Sequence, residues 1–295
     1  DFTAYDNTVT AEEIIERIGD ADAVIANKSR LNEQTLRNAP NVKIIAELAT
    51  GYDNVDIAYC KSRGIKVVNV RDYSTAMVAQ HTFALALAVS QKLVHYDNYV
   101  KSGQYAGQKR FSNFDIPFTE LDGKIWGVVG FGNIGSRVAR IAESFGCRVI
   151  IHSITGTKHD CGYEQVDKET LLRESDYISL HCPLSDLSRY FIDAEALKQM
   201  KSTAILVNVA RGPVVDSAAL ADALEQRIIA GAGLDVLEKE PIAADDPLGR
   251  IKDSTKLIIT PHLAWASVEA RTRCVSEVYK NLQAFMNGED RNVVN

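Results

Sequence analysis

The sequence predicts an α/β protein of two domains, each built on a doubly wound parallel sheet. Two observations carry this. Short β-rich apolar runs alternate with amphipathic helical patterns over nearly the whole chain, the pattern of α/β architecture. The chain is 295 residues long and 46% hydrophobic, enough for two cores of ordinary size rather than one.

In the first part the strand candidates are Phe2–Tyr5, Ala23–Ala26, Val42–Leu48 and Ile65–Val70, with helices in the gaps. The first helix starts at Thr10, which with Glu13 makes a capping box ahead of the Ile14, Ile15, Ile18 face. Ser74–Val100 reads as long helical sequence, apolar all round over Phe83–Val89; that predicts burial between domains and a hinge role. A second series follows, with strands at Ile125–Val129, Arg148–His152, Tyr177–His181, Ala204–Asn208, Ile229–Leu234 and Leu257–Thr260. These six complete a doubly wound sheet. A last helix, about Ser267 to Asn287, is too little for a third domain and is expected to pack back on the first. No solenoid-period repeat or low-complexity tract interrupts the chain.

Composition narrows the function classes. A formal charge of −6 gives no basic excess for phosphates along a nucleic acid, and no Lys/Arg run suits an anionic membrane. Neither partner is expected. The five cysteines, at 60, 147, 161, 182 and 274, form no CxxC pair or tight Cys/His cluster, so neither disulfides nor a metal site is expected. No apolar run approaches the roughly 18 residues of a membrane span, and the first residues, Asp1–Tyr5, are not signal-like. A reducing cytoplasm is the expected location.

Gly130-Phe131-Gly132-Asn133-Ile134-Gly135 follows the strand ending at Val129 and opens a helix over Ile134–Phe145. The first glycine permits a tight turn, the second lets the backbone approach a pyrophosphate, and the third lets helix and strand pack closely. Free N–H groups at the helix start then hold the anion. In this strand–turn–helix context the motif predicts dinucleotide binding at Gly130, Gly132 and Gly135. The acid that normally binds the adenosine ribose should lie about 20 residues on. Here the next strand runs into Ser153-Ile154-Thr155-Gly156-Thr157-Lys158, with no carboxylate. Ser153 could serve the ribose of NAD; the hydroxyls and Lys158 could instead hold a 2′-phosphate, which tips the balance toward NADP.

Three further strand ends carry chemistry. Arg211, in Asn208-Val209-Ala210-Arg211-Gly212, has a guanidinium fork suited to a carboxylate and an adjacent keto oxygen. Gly233-Leu234-Asp235-Val236 leads into a loop with two candidate acids, Glu238 and Glu240. Thr260-Pro261-His262 ends the last strand; a histidine there suits proton exchange with a hydroxyl, and a carboxylate beside it would orient the ring. His81 and His181 are read as structural or cofactor-packing residues.

Together with Ala49-Thr50-Gly51-Tyr52-Asp53-Asn54-Val55-Asp56 and Asp235-Val236-Leu237-Glu238-Lys239-Glu240-Pro241, these motifs resemble the D-isomer-specific 2-hydroxyacid dehydrogenase family over essentially the full length. The resemblance implies a Rossmann domain, residues 96–263, inserted into a flavodoxin-like substrate domain of residues 1–95 and 264–295. It implies hydride transfer between NAD(P)H and C2 of a small 2-keto acid. Arg211 would bind substrate, His262 would be the acid/base, and Glu240, rather than Glu238, its partner. The backbone of Thr50 and Gly51 would meet the substrate carboxylate, and Asp235 the nicotinamide carboxamide. Asn133, Ile134, Pro183, Val209 and Ala210 would also line the cofactor, alongside His262, and members commonly form homodimers through the nucleotide domain.

Tyr73-Ser74-Thr75, Val78-Ala79-Gln80-His81-Thr82 and His262-Leu263-Ala264-Trp265-Ala266-Ser267 are most similar to the glycerate dehydrogenase or hydroxypyruvate reductase group, in which Trp265 would shape a small pocket. The family pattern has one more strand and helix ahead of Phe2–Tyr5, so the sequence is expected to be an incomplete record. No regulatory domain is expected after the last helix. Two other readings remain. A nicotinamide-sensing corepressor of the same fold would carry peptide-binding features, and none is found here. A formate dehydrogenase-like enzyme would pair the histidine with glutamine, which Glu240 opposes.

Overall fold

The computed structural model describes residues 1–295. In chain order the elements are α1 (Ala11–Ile18), β1 (Ala23–Ala26), α2 (Glu33–Leu36), β2 (Ile44–Glu47), α3 (Ile57–Ser62), β3 (Lys66–Val68), α4 (Thr75–Ser90), α5 (Leu93–Lys101), α6 (Gln104–Gly107), β4 (Ile125–Val129) and α7 (Asn133–Ser144). Then come β5 (Arg148–His152), β6 (Glu164–Gln165), α8 (Lys168–Glu174), β7 (Tyr177–Leu180), α9 (Ala194–Gln199), β8 (Ile205–Asn208), α10 (Ser217–Glu225), β9 (Gly231–Leu234), β10 (Leu257–Ile259) and α11 (Val268–Met286). No helix is long and apolar enough to cross a membrane.

The chain divides into two compact units, Asp1–Ser74 with Ser267–Asn295, and Thr75–Ala266. The first boundary therefore falls at 74/75 rather than 95/96. The reason is α4. Apolar all round over Phe83–Val89, it packs on β8, β9, β10 and α7, so burial assigns it to the second sheet.

In the first unit the sheet is parallel, in the order β1-β2-β3. Thr10 caps α1 with the reciprocal Glu13 contact of a capping box, which puts Ile14 and Ile18 into a core with Leu36, Ile45, Cys60 and Val67. Residues Phe2–Tyr5, a strand candidate, form no strand, and Phe2 is 78% exposed. A β-rich run alone does not stabilise a strand; its backbone groups need a partner, and the sheet pairs only β1, β2 and β3. From α11, Asn281 donates to Asn69 O (2.9 Å) and Arg273 to Tyr73 O (2.9 Å).

In the second unit all seven strands are parallel, in the order β10-β9-β8-β7-β4-β5-β6. The chain builds outward from β4 through β5 to β6, crosses back to β7, and continues to β10. The order reverses between β4 and β7, the position where such sheets bind ligands at their carboxyl ends. The two-residue β6, paired with Ile150 and Ile151, is an extra strand too short to carry an alternation signal. Two apolar clusters cover the two faces of this sheet; on one, Trp126 stacks between Phe83 (4.6 Å) and Tyr177 (5.0 Å) and donates its ring N–H to Ser179 Oγ.

The long helix expected over Ser74–Val100 is two helices. Lys92 takes a left-handed backbone (φ +56°) between α4 and α5, and its Nζ donates to Thr255 O at 2.8 Å. Val89 and Ser90 are the last residues α4 buries. Beyond them α5 buries none, so packing no longer holds one straight axis.

Candidate active site

The registers set the strand ends side by side: Val129 lies opposite Leu180, Leu180 opposite Asn208, Asn208 opposite Leu234, and Leu234 opposite Ile259. The next residue of each strand is Gly130, His181, Val209, Asp235 and Thr260, and this carboxyl edge carries the second unit's predicted site residues.

At Gly130 the backbone is left-handed (φ +87°), and a Cβ would lie 2.8 Å from Cys182 N. Only glycine fits there. A Cβ on Gly135 would fall 2.0 Å from Gly130 O, whereas one on Gly132 would meet nothing within 4 Å. The first and third glycines are thus required by packing, while the second leaves open space at the start of α7. No side chain caps that helix start, so its N–H groups point into the space, with Asn133 and Ile134 in the first turn. Beside it, His181 has both ring nitrogens buried without a partner in the protein, and burial pushes its pKa down to about 3. A neutral imidazole holds one donor and one acceptor, and leaving both unmet is costly. The glycine cradle, uncapped helix and orphaned imidazole fit a dinucleotide.

Beyond β5, Ser153 Oγ lies 3.4 Å from Thr155 Oγ1, which lies 2.8 Å from Thr157 Oγ1, and Lys158 is exposed. Pro183 is exposed just after β7, while Val209 and Ala210 are buried after β8.

Arg211 donates to Ala210 O at 2.8 Å. A Cβ on Gly212 would fall 1.9 Å from Leu237 C, so the Arg211–Gly212 turn lies directly against the loop that carries the two acids. These acids face different partners. Glu238 accepts from Ser217 N (2.8 Å) and Tyr190 Oη (2.8 Å), which occupies it at the start of α10. Glu240 accepts from Leu237 N (3.0 Å) through Oε1 and meets His262 Nδ1 at 2.6 Å through Oε2. With Nδ1–H engaged, the other ring nitrogen, Nε2, is left for chemistry. Trp265 donates its ring N–H to His262 O (2.9 Å), which fixes the indole one turn beyond.

Asp235, 1% exposed, accepts from Thr260 Oγ1 (2.6 Å) and Leu263 N (2.9 Å) at Oδ1 and from Ala264 N (2.8 Å) at Oδ2. A carboxylate has about four acceptor positions, so Oδ2 retains one for a further donor. In the first unit, Thr50 Oγ1 donates to Val70 O (2.7 Å) and Asn69 Nδ2 to Thr50 O (2.7 Å), pinning the Thr50–Gly51 turn. Below it, burial raises the Glu47 carboxyl to about 7 despite a hydrogen bond from Asn54 (2.9 Å).

Residues 83–264 match the family model for the D-isomer specific 2-hydroxyacid dehydrogenase, NAD binding domain. The chain belongs to the D-isomer-specific 2-hydroxyacid dehydrogenase family. Like the family, it is an NAD(P)-dependent oxidoreductase acting at the CH–OH group of 2-hydroxy acids. Among its relatives, the glycerate dehydrogenase of Methylorubrum extorquens is 40% identical, covering 100% of this chain and 92% of its own. The hydroxypyruvate reductase of Blautia hydrogenotrophica is 38% identical, covering 99% and 91%. Of solved structures in this family, an NADPH-dependent glyoxylate/hydroxypyruvate reductase from Sinorhizobium meliloti, in complex with NADP and malonate, aligns with TM-score 0.86 and 29% identity over 97% of this chain and 87% of its own. A D-lactate dehydrogenase from Aquifex aeolicus, complexed with NAD and lactic acid, aligns with TM-score 0.85 and 32% identity over 96% and 88%.

The contact of His81 Nε2 with Thr260 Oγ1 (2.9 Å) and the unmet nitrogens of His181 go beyond the roles that the motifs give these two residues. Spacing from a glycine-rich neighbouring strand is the signal that could have found the first. Nothing in the sequence marks the second, because an unmet nitrogen is a property of the folded surroundings.

Proposed function

We propose that this enzyme reduces a small 2-keto acid, hydroxypyruvate or glyoxylate, with His262 as the proton donor, Glu240 as its orienting partner and Arg211 as the substrate clamp. The observation that carries the reading is the 2.6 Å His262 Nδ1–Glu240 Oε2 contact at the carboxyl edge of the sheet. Bound nicotinamide supplies a hydride to C2 in reduction and takes it back in oxidation. His262 Nε2 gives its proton to the keto oxygen in the first direction and removes the hydroxyl proton in the second. Glu240 keeps the ring in the tautomer with Nδ1–H. The Arg211 fork holds the substrate carboxylate and polarises the carbonyl. The backbone of Thr50 and Gly51 binds the carboxylate, and Trp265 limits the pocket to small side chains. The names of the Methylorubrum and Blautia relatives support this substrate class.

For the cofactor we assign Gly130, Gly132, Gly135, Asn133 and Ile134 to the pyrophosphate turn, Ser153 to the ribose, Pro183, Val209 and Ala210 to the ring contacts, and Asp235 Oδ2 to the carboxamide; His262 also borders the nicotinamide. NADP is preferred, on the hydroxyls of Ser153, Thr155 and Thr157 and the exposed Lys158, with no carboxylate to repel a 2′-phosphate. The protein is a homodimer joined through the nucleotide-binding unit. In support, α5 has no fully buried residue, and Phe111, Phe114 and Phe118 just beyond are 91%, 65% and 50% exposed, apolar side chains that a second copy could cover. Five unpaired cysteines agree with a cytoplasmic location.

A steady-state panel of hydroxypyruvate, glyoxylate and pyruvate with NADH and with NADPH tests the reading. Expected is the highest kcat/KM for hydroxypyruvate or glyoxylate with NADPH. Reduction of none of them would sink it.

A further inference from the structure

His262 has a left-handed backbone, φ +52°, a region that a residue with a bulky side chain occupies only when its surroundings hold it there. The holding groups can be named. Asp235 accepts from three successive amides: its backbone O takes His262 N (2.8 Å), and its carboxylate takes Leu263 N (2.9 Å) and Ala264 N (2.8 Å). That carboxylate is itself oriented by the Thr260 hydroxyl, which donates to Oδ1 at 2.6 Å. A hydroxyl has one proton. Having given it to Asp235, Thr260 Oγ1 accepts from His81 Nε2 at 2.9 Å, which sets the Nε2–H tautomer of His81. The same nitrogen lies 3.5 Å from Asp235 Oδ1. His81 is 8% exposed and Asp235 1%, so water competes little with these bonds.

The register of α4 on β9 explains why His81 arrives there. A Cβ on Gly231 would lie 2.6 Å from Val89 Cγ1, and one on Gly233 would lie 2.8 Å from Leu85 Cβ. The two glycines therefore admit α4 closely against the strand. Four residues of helix rise about 6 Å and two residues of strand about 6.6 Å, so the pairing of Val89 with Gly231 and Leu85 with Gly233 continues to His81 with Asp235.

We propose that His81 and Thr260 are positioning residues for the reaction: through Asp235 they hold the 262–264 turn in the left-handed form that presents His262 to Glu240 and to the substrate. The inference rests on the reading of His262 as the proton-transferring group. Neither residue touches the reacting atoms. Their effect comes through geometry, where a shift of about 1 Å costs on the order of 100-fold in rate.

The test uses the full-length enzyme with Thr260→Val, Thr260→Ser and His81→Leu, alongside His262→Gln. Three readouts are compared: kcat for hydroxypyruvate, the Kd of NADPH by fluorescence, and hydrogen exchange at the Leu263 and Ala264 amides by NMR. Thr260→Val should lower kcat about 30-fold and the protection of both amides about tenfold, while the Kd of NADPH, which Asp235 Oδ2 also contacts in this reading, should rise by clearly less than kcat falls. Thr260→Ser should restore both, and His81→Leu should move them the same way by less. Wild-type kcat and protection in Thr260→Val would overturn the proposal, as would a loss that serine does not rescue or one matched by an equal rise in Kd. Full turnover in His262→Gln would instead remove the reading of His262 as proton donor, and amide protection would then decide the positioning of the turn by itself.

Discussion

At the scale of single residues, the two carboxyl groups with the clearest environments are Glu240 and Glu47. Glu240 is held at both oxygens, by Leu237 N and by His262 Nδ1, so replacing one oxygen by an amide group puts a donor where a donor already points. Glu240→Gln is expected to lower kcat on the order of 100-fold, the low end of what general acid–base catalysis contributes, while NADPH binding by fluorescence stays unchanged. Glu47 predicts a pH dependence of stability. Burial raises its folded-state pKa to about 7 from 4.5, so between these values the folded state keeps a proton that the unfolded chain has released. Its contribution is fully present below the unfolded value and is lost as pH rises through the folded one. The loss is up to about 3 kcal/mol at pH 8. Glu47→Gln should flatten the urea-unfolding stability between pH 5 and pH 8; an unchanged slope would show that this carboxyl is not the titrating group.

Elements add constraints that no one residue carries. The turn into α7 separates two uses of glycine that look identical in the motif. Gly135 is needed because a Cβ would fall 2.0 Å from backbone Gly130 O, whereas Gly132 faces open space. Gly135→Ala should destabilise the protein by roughly 1–3 kcal/mol, as overpacking does, and lower the Tm. Gly132→Ala should leave the Tm where it is and weaken NADPH about tenfold, since a methyl group then stands where the pyrophosphate approaches. Calorimetry and fluorescence titration of the two variants separate these effects; equal Tm losses would refute the distinction. The same logic applies to β9, where Gly231 and Gly233 make room for Val89 and Leu85 of α4.

For the molecule as a whole, the prediction concerns assembly. Phe111, Phe114 and Phe118 are each exposed, beyond a helix with no fully buried residue. If that surface joins two copies, sedimentation should give twice the mass of one chain. Phe111→Asp combined with Phe114→Asp should shift the protein to monomer, because two carboxylates facing their copies across an isologous contact cannot be desolvated cheaply. A wild-type monomer at micromolar concentration would refute the homodimer.

What the sequence determined by itself is local. The bounds of Ala23–Ala26, Ile125–Val129 and Arg148–His152, and the capping box at Thr10 and Glu13, agree with the structure, because apolar runs and caps act over a few neighbouring residues. The glycine-rich turn was legible for the same reason. The tertiary structure decided what depends on distant partners. Phe2–Tyr5 is β-rich yet pairs with nothing, Lys92 breaks a helix that propensity would continue, and β6 exists only because β5 lies beside it. In the candidate site, periodicity cannot rank Glu238 against Glu240, two acids in one loop, and the family resemblance was needed to choose. The loop's path distinguishes them physically, turning one toward Ser217 and Tyr190 and the other toward His262. The contact of His81 with Thr260 spans 179 residues of chain, a separation over which only the packing of α4 on its sheet conveys position. Short-range preferences are written in the order of the residues; which side chains meet is settled when the elements pack.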